Sequence, residues 1–236
     1  MTTQIPLSKF IATNSKYSRR RATLEVKAGY VKVDGKIEDN PATRVTAKNK
    51  VVVNGEPIKA SSEKHYFLLN KPKGVLSTVT DTHDRKTIMT LSPNIPGLYP
   101  VGRLDKDSHG AIILTNDGEF TQEITHPKNH LGKTYEVTIK GRIVQQKIDA
   151  FKKGIVLEWG KTAPAKIKMI SQKEGVTVFE IELFEGKKRQ IREMSAALHW
   201  FVMDLKRTKI GTLELQDLEI GKHRKLTSKE ISDLKN

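Results

Sequence analysis

The chain has 236 residues, of which 36% are hydrophobic, enough for one large core or two smaller ones. It has no cysteine, which excludes disulfides and thiolate metal sites, and no apolar run near the roughly 18 residues of a membrane span. Lys and Arg outnumber Asp and Glu by 42 to 27, so the net charge is +15. That excess predicts a polyanionic partner, the alternative being a basic surface that binds nothing. The N-terminus lacks the apolar stretch of a secretory signal, so we expect a cytoplasmic protein.

The first quarter of the chain looks like a separate unit. Residues 1–60 carry 12 Lys and Arg against 5 Asp and Glu, which is +7 of the total charge. Ser18 is placed to cap a helix that runs through Lys27. Two short apolar strands follow, and each ends in a dipeptide typical of hairpin turns, Asp34-Gly35 and Asn54-Gly55.

The remainder mixes strands and helices without regular alternation. A small polar stretch, 61–64, predicts a linker, and the second unit then covers 65–236. Strands are predicted at 66–70, 111–115, 133–140, 165–170 and 177–184, and helices at 144–153, at 188–198 and from Thr227, where Glu230 completes a capping box. Because strands outnumber helices and do not alternate with them regularly, the fold class is α+β.

Chemistry is concentrated in residues 99–118, a polar loop that leads into a buried strand. Asp105 lies in this loop, where a carboxylate can be held between rigid strands, although a lone aspartate could equally cap a turn. The one close histidine pair, His126 and His130, is separated by Pro127, which argues against the helix that would align the two rings. We therefore predict no metal site.

Five segments together resemble those of a known enzyme family. Gly102-Arg103-Leu104-Asp105, followed by a hydroxyl residue, a glycine and an apolar strand that ends Thr115-Asn116-Asp117-Gly118, resembles the catalytic motif of the RsuA/RluB-type pseudouridine synthases. Four further segments match in order: residues 67–74, Lys133-Thr134-Tyr135, residues 185–192, and Leu205-Lys206-Arg207 with Ile210-Gly211. Residues 7–10, 18–20 and 29–35 resemble the alpha-L (S-four-type) RNA-binding domain.

The resemblance implies a small N-terminal alpha-L (S-four-type) RNA-binding domain at 1–60. A pseudouridine synthase domain at 65–236 would follow, built on a mixed, mainly antiparallel β-sheet flanked by helices. The chain departs from the family pattern at Ser108, where threonine is usual, at Glu193, where a second arginine is common, and at Asn14-Ser15, where a glycine-containing turn is usual.

The resemblance also assigns residues to the reaction. Asp105 becomes the catalytic carboxylate, which either attacks C1′ of the target uridine or takes its 2′ proton. Arg192, with Arg189 as second choice, would pair with this carboxylate. Tyr135 would pack against the flipped uracil, the alternative being a core tyrosine.

Other residues have a role in the pocket or on the RNA. Arg103 either fills the space that the flipped base leaves or contacts a phosphate, and Leu205 either walls the pocket or packs in the core. The expected RNA-binding residues are basic: Arg19, Arg20, Arg21, Lys27, Lys71, Lys73, Lys187, Lys188 and Arg189.

The resemblance implies ribosomal RNA as the partner, 23S rRNA being favoured over 16S rRNA or tRNA. We expect a monomer that needs no cofactor and does not bind membranes. The alternative from another class is a non-catalytic RNA-binding factor for ribosome assembly.

Overall fold

The computed structural model describes residues 4–129 and 131–235, so His130 lies outside the described residues. From residue 4 on, the described residues of the first part of the chain form two helices and six short strands. They are β1 (Ile5–Pro6), α1 (Leu7–Asn14), α2 (Arg19–Lys27), β2 (Val31–Val33), β3 (Lys36–Ile37), β4 (Arg44–Val45), β5 (Val51–Val53) and β6 (Glu56–Ile58). Strands β3-β2-β5-β6 form one sheet, β1 pairs with β4, and the apolar faces of both helices pack in one core with these strands.

Local chemistry explains these elements. The Ser18 hydroxyl accepts the backbone N–H of Arg21 at 3.2 Å and caps α2, as predicted. Asp34 and Gly35 both have positive φ, as do the two residues between β5 and β6, which is the geometry of a tight two-residue hairpin turn. The predicted helix and both hairpins are therefore confirmed.

The second part of the chain contains eleven strands and four α-helices within the described ranges. They are β7 (Tyr66–Lys71), β8 (Tyr99–Val101), β9 (His109–Thr115), α3 (Gly118–Thr125), β10 (Lys133–Lys140), α4 (Gln145–Lys153), β11 (Val156–Leu157), β12 (Gly160–Lys161), β13 (Lys166–Lys173), β14 (Val176–Leu183), α5 (Gln190–Ala197), β15 (Phe201–Ile210), β16 (Leu213–Glu214), β17 (His223–Lys225) and α6 (Ser228–Asp233). None of the helices in the described ranges is long and apolar enough to cross a bilayer.

One nine-stranded sheet organises this part. Its order is β13-β14-β10-β15-β9-β7-β17, with β8 on β9 and β16 on β15. Among the described strands of this sheet, only the β15–β9 pairing is parallel, and it joins Lys206 to His109 and Arg207 to Gly110. The predicted α+β class with a mainly antiparallel sheet is confirmed.

Three details differ from the sequence prediction. Helix α3 was not predicted, and it begins because the Asp117 carboxylate accepts the N–H groups of Glu119 and Phe120. Helix α5 begins at Gln190, since Arg189 before it is left-handed with φ 53°. The ten-residue strand β15 was not predicted as a strand at all, because its N-terminal half is exposed and does not show the apolar alternation of a half-buried strand.

Few contacts join the two parts of the chain. Asn116 holds the connecting segment through its side-chain bonds to the backbone of Glu63 and His65. The Gly97 N–H donates to the carbonyl of Ser15 at 3.0 Å, and a side chain at Gly97 would collide with the backbone of Thr13. The first part therefore packs against the loop before β8, while its apolar core stays separate from the clusters around the large sheet.

Candidate active site

Four neighbouring strands of the large sheet place a row of residues beneath the predicted catalytic loop. Lys71 on β7 is opposite Gly110 on β9, Gly110 is opposite Arg207 on β15, and Arg207 is opposite Tyr135 on β10. Laterally paired residues project from the same face of a sheet. Two cations and one aromatic ring therefore lie on one face, next to the strand that the loop enters.

The loop itself, residues 102–108, is held by its backbone. Five consecutive carbonyls, from Leu104 to Ser108, each accept a hydrogen bond from outside the loop. The donors are the Ser77 hydroxyl to residue 104, Lys71 Nζ to residues 105 and 108, the Gly74 N–H to residue 106, and Arg192 Nη2 to residue 107, at 2.8–3.2 Å. Leu104 is also buried in an apolar cluster. Such support fixes the loop and leaves its side chains available for chemistry.

Asp105 is the half-buried carboxylate at the centre of this loop. Within the described ranges, its side chain has no hydrogen bond or ion pair. Arg192, its predicted partner, instead donates to the carbonyl of Asp107, two residues farther along. The guanidinium thus supports the loop that carries the carboxylate, and the predicted ion pair is not formed in this structure.

Lys71 corrects the sequence analysis, which placed it among the RNA contacts. Its side chain is fully buried, and its ammonium donates to the carbonyls of Pro72, Asp105 and Ser108 at 2.8–3.2 Å. Burial lowers the pKa of Lys71 to about 8, an effect opposed by the nearby carboxylates of Asp105 and Asp107. An ammonium that is sealed below the loop cannot reach a phosphate, so Lys71 is a positioning residue.

Tyr135 and Leu205 belong to the same apolar cluster. Leu205 is buried in the cluster formed by β10, β14, α4 and α5, whereas Tyr135 is partly exposed and packs between this cluster and the one that contains Leu104. The Tyr135 hydroxyl has no hydrogen bond to the described part of the chain. Arg103, in contrast, is exposed at the start of the loop.

Arg207 is a residue whose importance the sequence did not reveal. It is 4% exposed, and its Nε donates to the carbonyl of Ala111 at 2.6 Å. Ala111 lies between the residues of β9 that pair with β15 and those that pair with β8. Its Nη2 is buried and lacks a partner in the described chain, as do Ser108 Oγ and Arg192 Nε. The segment Leu205-Lys206-Arg207 was noted in the sequence, but only the structure shows that Arg207 is buried beside β9.

The other predicted cations lie on the surface. Arg19, Arg20, Arg21 and Lys27 project from α2, although Arg21 is ion-paired with Glu25. Lys73 is half-exposed and pairs with Asp204 at 2.5 Å, while His109 binds the same carboxylate at 2.9 Å. Lys187, Lys188 and Arg189 are exposed before α5.

Within the described residues, no group of three His, Asp or Glu side chains could hold a metal ion.

Comparisons with known proteins agree on one family. Residues 65–197 match the family model described as RNA pseudouridylate synthase. The chain is 40% identical over 232 residues to "Ribosomal large subunit pseudouridine synthase B" of Bacillus subtilis (strain 168), covering 97% of this chain and 95% of the relative. It is 34% identical over 233 residues to "Ribosomal small subunit pseudouridine synthase A" of Escherichia coli (strain K12), covering 97% and 99%. A solved structure titled "Crystal structure of pseudouridylate synthase" is 33% identical, with a TM-score of 0.70 and coverage of 98% and 99%.

Proposed function

This chain belongs to the RNA pseudouridylate synthase family and isomerises uridine to pseudouridine in ribosomal RNA, and we propose that its target uridine lies in 23S rRNA. The observation that carries the reaction is Asp105, a free carboxylate on a loop in which the carbonyls of residues 104–108 are all bound. The higher identity to the large-subunit relative, 40% against 34%, supports 23S rRNA over 16S rRNA. A cytoplasmic location fits this substrate.

The reaction requires few groups. It breaks the N1–C1′ bond, rotates the base and joins C5 to C1′, and the hydrogen lost from C5 is replaced by one on N1. Because nothing is oxidised and no group is transferred to a second molecule, side chains suffice. Asp105 either attacks C1′ or removes the 2′ proton, and in both routes its negative charge stabilises positive character at C1′.

The surrounding residues hold the loop and the base. Lys71 holds the carbonyls of Asp105 and Ser108, and Arg192 holds that of Asp107, so the carboxylate stays in place while the uridine leaves its stack. Tyr135 offers a ring to the flipped uracil, and Leu205 belongs to the cluster against which Tyr135 packs. Arg103 is exposed where it can fill the vacated space or bind a phosphate.

The substrate is tested by mapping pseudouridines in rRNA from a strain that lacks this gene, complemented with wild type or with Asp105→Asn. One pseudouridine of 23S rRNA should disappear and return only with the wild-type gene. If a pseudouridine disappeared from 16S rRNA or tRNA instead, the protein would still be a pseudouridine synthase, but its substrate would be that RNA. If every pseudouridine persists, and the purified protein converts no uridine in either rRNA, the assembly-factor alternative is correct.

Tyr135 is expected to act through both its ring and its hydroxyl. Tyr135→Phe should fold normally, because the hydroxyl has no partner in the described chain, but should react about 10²-fold more slowly if the hydroxyl moves a proton. Tyr135→Ala should also lose about 1–3 kcal/mol of RNA affinity, because it removes the stacking ring. Single-turnover rates, binding constants and melting curves measure these effects.

Tyr99→Phe is the matched control. The Tyr99 hydroxyl is hydrogen-bonded to the Thr121 hydroxyl at 2.8 Å, and Tyr99 lies on the opposite face of the sheet from Tyr135. That variant should melt earlier and react at the wild-type rate. If Tyr135→Phe reacted at the wild-type rate, the Tyr135 hydroxyl would have no role in the reaction and only the packing of the ring would remain.

We propose that residues 1–60 form the S-four-type RNA-binding domain and that the exposed cations of α2 bind the RNA backbone. Changing Arg19, Arg20 and Lys27 to Gln together should make the slope of log K against log salt less negative by about 2 to 3, because three phosphate contacts are lost. Arg21 is left unchanged because it is paired with Glu25.

The control is a second full-length variant that loses three exposed lysines elsewhere, Lys168, Lys173 and Lys229. It has the same net charge as the first but should keep the wild-type slope. Equal slopes for the two variants would contradict a specific role for α2 and leave only a general charge effect.

A further inference from the structure

The hairpin formed by β11 and β12 carries an aromatic ring whose orientation is fixed at the protein surface. Trp159 lies in its two-residue turn and is 40% exposed, whereas Trp200, the second tryptophan, is 6% exposed. The indole Nε1–H donates to a carboxylate oxygen of Glu193 at 2.6 Å. Lys187 Nζ lies 5.7 Å from the ring centroid, over one face. The edge and one face are therefore held, and part of the ring is exposed to solvent.

This ring is linked to the catalytic loop by one helix. Glu193 follows Arg192 on α5, and Arg192 donates to the carbonyl of Asp107. Glu193 also stands where the sequence analysis expected a second arginine. Its carboxylate binds the indole, so the departure from the family pattern creates an anchor for Trp159 instead of a phosphate contact.

The charge beside the ring indicates what can approach it. Lys187, Lys188 and Arg189 are exposed on the segment before α5, and Lys161 is exposed on β12. Such a group attracts a phosphate backbone, and an aromatic side chain among phosphate-binding cations stacks on unpaired bases. Flipping the target uridine disturbs the stack of its neighbours and makes their faces available.

We propose that the exposed part of the Trp159 ring stacks on an unpaired nucleobase that flanks the target uridine, while the cations before α5 bind the adjoining phosphates. The proposal rests on the rRNA substrate proposed above and adds a base contact outside the catalytic pocket. In this arrangement Glu193 is a positioning residue, since it orients the indole and does not touch the RNA.

The first test uses intrinsic fluorescence, because a stacked base quenches tryptophan. Wild type and Trp159→Phe are titrated with a substrate rRNA fragment in the Asp105→Asn background, which prevents turnover. The wild-type ring should be quenched with the same midpoint as binding measured by anisotropy of labelled RNA, and Trp159→Phe should show almost no quenching. Binding of the RNA with equal emission changes in both proteins would overturn the proposal.

The second test separates stacking from charge. Trp159→Ala should weaken RNA binding about 5- to 150-fold with an unchanged salt slope, and Trp159→Phe should lose much less because it keeps a ring. Lys188→Gln, the charge control, should make the slope less negative by about 0.7 to 0.9. An altered slope in Trp159→Ala, or unchanged affinity, would contradict stacking.

The third test keeps the wild-type protein and changes the RNA. Abasic nucleotides are placed singly at positions on either side of the target uridine. At one position the wild type should lose affinity by a factor similar to that of Trp159→Ala, and the variant should lose almost nothing further there. If no position behaves in this way while conversion of uridine still depends on Asp105, the stacking proposal fails and the enzyme function stands.

Discussion

Asp105→Asn is expected to lower pseudouridine formation by at least about 10⁴-fold while RNA binding stays within a few-fold of wild type. The substitution keeps the size of the side chain and removes only the negative charge that the reaction at C1′ requires. The loop should keep its shape, because it is held through the carbonyls of residues 104–108 and not through the Asp105 side chain. Tritium release from rRNA labelled with [5-³H]uridine, under single-turnover conditions, measures the rate.

Asp107→Asn is the matched control because it makes the same chemical change two residues along the same loop. Asp107 is exposed, and it is its backbone carbonyl that binds Arg192. We expect its rate to stay within a few-fold of wild type. Activity of Asp105→Asn within tenfold of wild type, or equal losses in both variants, would remove Asp105 from the reaction.

Lys71→Met is expected to reduce the single-turnover rate by about 10²-fold or more, with RNA affinity nearly unchanged. The variant leaves the carbonyls of Pro72 and Ser108 without this donor, leaves that of Asp105 with only the Ser108 N–H, and so loosens the loop. Unpaired buried carbonyls cost about 1–3 kcal/mol each, partly offset because an ammonium no longer has to be buried. A net loss near 2 kcal/mol would lower Tm by about 4–8 °C.

Lys73→Met serves as control, since Lys73 lies two residues away and is half-exposed. It should change Tm little and weaken RNA binding instead, with a salt slope less negative by about 0.7 to 0.9. A Lys71→Met protein that reacts normally but binds RNA weakly would restore the original assignment of Lys71 as an RNA contact.

Lys71 also predicts how the stability difference between wild type and Lys71→Met depends on pH. Its pKa is lowered to about 8 in the folded protein, below the ordinary value of 10.5. Between these values the unfolded chain binds more protons than the folded one, so the contribution of Lys71 to stability rises with pH. The gap in free energy of unfolding between the two proteins should therefore be larger at pH 10 than at pH 7, as denaturant titrations can measure.

The site shows where sequence reasoning reaches its limit. Asp105 could be identified because its motif is contiguous, and Tyr135 and Arg192 because their segments follow in a fixed order. Lys71 was placed among the RNA-binding cations, and a lysine is seldom fully buried. Its burial depends on carbonyls 34 and 37 residues away, which only the folded chain brings together to compensate the lost hydration.

The cap of α2, the two hairpin turns and the motif around Asp105 could be predicted from the sequence, because each depends on residues a few positions apart. The concentration of positive charge in residues 1–60 follows from composition alone. Other features became visible only in the folded chain: which cation supports the loop, that Arg192 binds the carbonyl of Asp107, that Arg207 is buried beside β9, and that Glu193 holds Trp159. These contacts join residues 34 to 96 positions apart, and their energies depend on burial and distance, which exist only once the sheet has assembled.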